Sequence, residues 1–246
     1  MDNPIFALGD IVALLIVILG AALLLLELSG RTLAFSRPYV RPNGFRWSAA
    51  AVATVGVGAA VFVVGLATLG SLIVIIPGFV SLNPARGLET VFGLLFGLPG
   101  VAAGMVGSPI GDILTGKLTL GSIAGMVTTG LTSYFFYRLF RGNPGLRNFG
   151  QTSVWGRFVF GIVIMAVVIK GIGIAGFLAA IGMLPGHVAW VAAFPSIILN
   201  EGISNAIVGA VLTKILYPFV DRIGLSPEPD THDQPAAGLR PARAHE

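Results

Sequence analysis

Eleven residues have side chains able to recognise a polar solute, and they recur at spacings that place several of them together. Asn83, Arg86 and Glu89 fall within seven positions, Asp112 and Lys117 follow, and Asn200, Glu201 and Asn205 form a third group. Lys170 stands alone in an apolar run, while His187 and Trp190 lie just before the third group. Carboxylates, cations and carboxamides in this mixture can pair with both signs of charge and form hydrogen bonds, which is the chemistry of binding an amphoteric molecule. They do not spell a reaction. P-loop, HExxH, GxSxG and paired-aspartate motifs are missing from the sequence, and three dispersed histidines make no metal site. The chain therefore reads as a non-enzyme with no cofactor and no bound metal.

What makes these residues conspicuous is their surroundings. Hydrophobic side chains make up 55% of the 246 residues and charged ones only 11%. That is too little polar surface for a water-soluble globule of this length, which usually carries about 25% charged residues. Within lipid each ionisable group costs a few kcal/mol near the centre of a span, so each requires a partner or a function. The 34 glycines fit the same setting, because small residues let membrane helices approach closely. With no cysteine, disulfides and thiolate sites are excluded. The net charge of +4 carries no nucleic-acid inference, since basic residues in such chains report topology first.

The elements follow from the apolar runs and the arginines. Leu8 to Leu28 can span, and Asp2 before it argues against a signal peptide, so the helix is retained. Arg31, Arg37, Arg41 and Arg46 form a loop without acidic residues, as do Arg138, Arg141, Arg147 and Arg157. The positive-inside rule places both in the cytoplasm and the N-terminus outside. Ser48 to Ile76 then runs outward to Pro77-Gly78. Three crossings must lie between there and Arg138, which a tight turn at Gly97-Leu98-Pro99-Gly100 supplies: short helices over 81–97 and 99–115, then a span over 119–140. Runs over 155–182 and 191–220 go out and back. The expected architecture is an all-α polytopic membrane bundle of six core helices (48–223). An N-terminal transmembrane helix with its basic loop (1–47) precedes it, and a disordered cytoplasmic tail (224–246) follows.

On this arrangement Arg86, Glu89, Asp112, Lys117 and Glu201 gather in the outer half, with Asn83, His187 and Trp190 beside them and Lys170 deeper. Glu201 and Asn205 share a helix face. Each has a simpler reading as well. Arg86 and Glu89 have the i,i+3 spacing of a helix-end ion pair, and Asp112 and Lys117 fit solvated loop charges. His187 and Trp190 fit interfacial anchors, and Glu201 could pair structurally with Lys170. Asp10 and Glu27, at the two ends of the first helix, are expected to be solvated. Small residues at four-residue spacing, Ala49–Ala53 and Gly56–Ala60, mark a packing face on the second helix. Gly93–Gly97, Gly100–Gly104 and Gly107–Gly111 do so in the hairpin.

The run 83–116, NPARGLETVFGLLFGLPGVAAGMVGSPIGDILTG, resembles the substrate-binding S components of energy-coupling-factor (ECF) transporters. The matching residues are Phe96, Gly97, Pro99, Gly104, Gly111 and Asp112, with Leu98 inside the turn, and the resemblance extends over 48–223. It implies a solute-binding subunit of an ATP-driven, ABC-type importer in a bacterial-type cytoplasmic membrane. Such a subunit takes a vitamin-like solute from outside and works with a membrane coupling subunit and two ATPase subunits. It also implies that Ala49, Ala53, Gly56 and Ala60 dock on the coupling subunit. The additional N-terminal helix departs from that pattern. A structural or assembly subunit of a larger membrane complex is the alternative.

Overall fold

The computed structural model describes residues 4–34, 37–69, 73–76, 80–141 and 151–225. The described residues are mostly helical and form six helices, five of them long and apolar enough to cross a membrane. They are α1 (Pro4–Leu28), α2 (Ala49–Leu69), α3 (Leu88–Leu114, entered by a 3-10 turn over Pro84–Gly87), α4 (Gly121–Phe140), α5 (Thr152–Ala180) and α6 (Gly186–Arg222). The remaining expectations about Pro77-Gly78, the loop around Arg147 and the tail beyond Leu225 lie outside the described residues.

The α3 helix is the axis of the bundle, with 78% of its most apolar window buried. It does not run straight. Gly97 has φ 57 and ψ −132, a conformation that a side chain would strain. Beyond it the chain folds back so closely that a Cβ on Gly100 would collide with the carbonyl of Phe92. Pro99 then sits in the first turn of the returning arm, where its missing N–H costs nothing. Small residues make the contacts of both arms. Gly93 lies on the backbone of Ser133, Gly104 against Thr129, and Gly107 against Ala59 and Phe62. The tip is plugged by Val91 and Leu95 packing on Val220 of α6.

Glycine contacts also fix the helix directions. Gly65 faces Ala85 while Gly58 faces Phe92 and Ala103, so the first arm of α3 runs against α2 and the second arm runs with it. Gly130 against Met105 makes α4 antiparallel to the second arm. Gly121 against Leu178 and Gly161 against Leu139 make α5 antiparallel to α4, and Gly171 against Phe194 and Ile198 makes α6 return along α5. In α1, Gly9 meets Trp190 and Gly176, and Gly20 meets Leu131, so α1 runs with α4. One end of the bundle thus gathers Arg31, Arg41, Arg46, Arg138, Arg141 and Arg157; it is called here the arginine end.

Three sequence expectations are corrected. The run toward Ile76 is not helical throughout, because α2 stops at Leu69 and Ile73–Ile76 pairs antiparallel with Val80–Leu82. The β-branched run Ile73-Val-Ile-Ile favours strand over helix. The first arm of the hairpin consequently starts only at Pro84, and from there to Phe96 covers about 19 Å at 1.5 Å per residue. A second short ribbon, Arg31–Leu33 with Val40–Pro42, occupies the basic loop.

The third correction concerns Glu27. Glu27 is 1% exposed, not solvated. Its carboxylate accepts from Tyr134 Oη at 2.6 Å, from Asn43 Nδ2 at 3.0 Å and from the Thr32 hydroxyl. A carboxylate in the last turn of a helix opposes the helix dipole, so it has to be held by donors from elsewhere. At the other end of α1, Asp10 accepts from the Trp190 indole at 2.9 Å. The α1 helix is therefore clamped to the bundle at both ends. Its buried residues Ala13, Val17, Gly20, Leu24 and Glu27 form a regular seam against α4 and α5.

Candidate functional site

The polar residues converge where α3, α4, α5 and α6 meet. Arg86 is placed by the 3-10 turn that Asn83 caps, its Oδ1 accepting from the Ala85 amide at 3.1 Å. One turn later Glu89 points inward and is fully buried. The α5 and α6 helices each loosen to π geometry at this level, over Met165–Ile172 and Asn205–Gly209. A π turn inserts an extra residue and redirects the side chains beside it, a feature common at functional sites. Lys170 and Asn205 lie in these segments, and both are fully buried.

Glu89 is the hub. It meets Arg86 Nη1 at 3.2 Å and Lys170 Nζ at 2.7 Å, and accepts from Thr129 Oγ1 at 3.1 Å. Lys170 Nζ donates in turn to Thr129 Oγ1 at 3.0 Å, closing a three-membered ring of contacts. Ser133 holds the Glu89 backbone carbonyl at 2.8 Å. Glu201 is bound more loosely, 3.6 Å from Arg86 Nε and 3.9 Å from Lys170 Nζ. Two cations face two carboxylates, so the cluster is neutral as a whole. Such a set tolerates burial while its closely held members keep their partners.

The second rank of contacts is made by amides and hydroxyls. Thr90 Oγ1 donates to Asn205 Oδ1 at 2.6 Å, and Asn205 Nδ2 donates to the Glu201 carbonyl at 2.9 Å. Asn200 Oδ1 accepts from the Asn83 amide at 2.8 Å, tying α6 to the entry of α3. Among the described residues of α6, three buried side-chain oxygens accept no hydrogen bond: Glu201 Oε2, whose one contact is the long ion pair to Lys170, Ser204 Oγ three residues on, and Thr213 Oγ1 further along the helix. Buried polar atoms without a partner are rare and ask for a reason. Arg86, at 21% side-chain exposure, is the cluster's most accessible charge.

Of the residues nominated from sequence, Asn83, Arg86, Glu89, Lys170, Asn200, Glu201 and Asn205 are brought together. Asp112 is near enough for its charge to act on Arg86. Lys117 and His187 are exposed and away from the cluster. Trp190 is spent on α1, donating to Asp10 and lying between Phe6 and Phe194. Lys170 pairs most closely with Glu89, and Glu201 is its more distant contact. Sequence reasoning overlooked Thr90, Thr129 and Ser133, and placed Ser204 beside Asn200 without nominating it. A signal existed for two of them, since Thr129 and Ser133 are four apart on one face of an otherwise apolar helix.

Among the described residues no group of three or more His, Cys, Asp or Glu is placed to hold a metal ion. No protein-family model, curated protein or solved structure matches the chain.

Proposed function

We propose that this protein is a membrane-embedded binding subunit for a small polar solute. The observation that carries this reading is a pair of buried oxygens that receive no hydrogen bond, Glu201 Oε2 and Ser204 Oγ, in a cluster whose Arg86 is partly accessible. A solute with an N–H or ammonium group would satisfy the two acceptors, and an anionic group on it would compete with Glu201 for Arg86. Because Glu201 is held at ion-pair distances well beyond those of Glu89, it is the carboxylate that exchanges partners at least cost. Glu89, with Lys170 and Thr129, is the fixed floor on which that exchange takes place.

The arginine end faces the cytoplasm in this reading, by the positive-inside rule, and the cluster opens toward the other side. The resemblance of 83–116 to ECF S components extends the proposal to an ATP-driven importer, with a coupling subunit and two ATPases as partners and six core helices preceded by α1. The small-residue face of α2 supports a docking role. Ala49, Ala53, Gly56 and Ala60 are exposed, and a Cβ on Gly56 would meet nothing within 4 Å.

A structural subunit is the second reading, favoured by the neutrality of the four-charge cluster and the complete burial of Lys170. Native mass spectrometry of the gently extracted protein separates the two. A retained small molecule together with co-purifying ATPase subunits supports the importer. Stoichiometric larger assemblies with no small molecule would put the structural reading first.

A further inference from the structure

A groove of about 460 Å³ runs along the outside of the bundle between α1, α4 and α5, on the far side of α4 from the second arm of α3. We propose that it is a binding site for one acyl chain of an anionic phospholipid, with the lipid headgroup at Arg138. This inference does not depend on the solute-binding reading.

The walls are apolar and belong to three helices: Val12, Leu15, Leu19 and Leu23 from α1, Leu131 and Phe135 from α4, and Ile169 from α5. Gly20 forms the floor, where α1 crosses so near Leu131 that an added Cβ would lie 2.5 Å from that side chain. From Val12 to Leu23 the groove extends about 16 Å along α1 at 1.5 Å per residue. That is about half of a hydrocarbon core roughly 30 Å thick, the depth one acyl chain occupies. A partner helix would need a face that continues beyond one leaflet, which this groove does not offer.

The charge at its mouth selects the headgroup. Arg138 lines the groove at the arginine end, is exposed, and lies over the Tyr134 ring at 5.9 Å. Among the described residues no carboxylate stands within ion-pair distance of it. Glu27, the nearest buried acid, has its oxygens occupied by Tyr134, Asn43 and Thr32. An apolar trough ending in an unpaired guanidinium complements a lipid whose chain is apolar and whose phosphate bears an uncompensated negative charge. Arg157 also sits at the arginine end but is turned to the Leu139 carbonyl and the Phe140 ring, away from the groove.

The test uses the full chain in nanodiscs containing equal amounts of phosphatidylglycerol and phosphatidylcholine with identical acyl chains, released for native mass spectrometry. The wild type should retain one phosphatidylglycerol in about fivefold preference over phosphatidylcholine, the ratio expected for one basic residue near a membrane surface. Arg138→Gln should abolish the preference, and Arg157→Gln should keep it. Leu19→Trp, which fills the groove without altering charge, should reduce retention of either lipid. Equal retention of the two lipids by the wild type would overturn the proposal, and so would an unchanged preference in Arg138→Gln. A protein dimer without lipid would also overturn it and assign the groove to a second copy.

Discussion

Glu89 and Glu201 carry the same chemistry into the same cluster but are held very differently, and their substitutions should separate accordingly. Glu89 has three partners within 3.2 Å, so Glu89→Ala removes the close counter-charge of buried Lys170, leaves only the more distant Glu201, and should cost about 3–5 kcal/mol of stability. Thermal unfolding in detergent should show a large drop, partly recovered when Lys170→Met is added. A neutral single substitution would mean that the ring Glu89–Lys170–Thr129 does not hold the bundle. Which residues met was legible in the sequence only in part. The intramembrane charges announced themselves by their cost, and seven of eleven nominated residues converged. The pairing itself was not legible, because Lys170 finds Glu89 and Thr129 on other helices, contacts that spacing along one helix does not predict. Trp190 stays outside the cluster for a reason equally hidden from spacing: its partner, Asp10, lies 180 residues earlier in the chain.

At the scale of the elements, the α3 hairpin depends on backbone contact that only glycine permits. Gly100→Ala would drive a methyl group into the Phe92 carbonyl, and Gly97→Ala would be strained at positive φ, costing about 1–3 kcal/mol. Both variants should insert into membranes but melt earlier, as read by fluorescence-detected size exclusion after heating. Unchanged melting of both would contradict the fold-back. The turn was legible because the proline and flanking glycines punctuate an apolar run and because the basic loops demanded a further reversal. The point where its first arm starts was not, since hydropathy does not distinguish a β-branched strand from a helix end. The α2 face behaves oppositely. Ala53 is exposed and Gly56 has open space beside it, so Ala53→Leu and Gly56→Leu should leave the melting temperature within error and weaken association with a coupling partner. Loss of stability without loss of partner would show the face to be internal packing.

On the scale of the whole molecule, the bundle has an arginine end and an end without arginine clusters. Gln151, exposed at the first, and Thr119, exposed at the second, report which side each faces. In intact cells a cysteine at Thr119 should react with a membrane-impermeant thiol reagent, and one at Gln151 only after permeabilisation. The reverse pattern would invert the bundle and direct the cluster to the cytoplasm. The central claim is that the buried cluster binds a solute through Glu201, and one paired measurement addresses it most directly: solute retention and melting temperature on the wild type and Glu201→Gln in the same preparation. Removing the charge from a desolvated contact should weaken retention by at least about tenfold. The melting temperature of the solute-free protein should change little, because Glu201 is the loosely held carboxylate. A large fall in melting temperature, with no small molecule retained by either protein, would contradict the account.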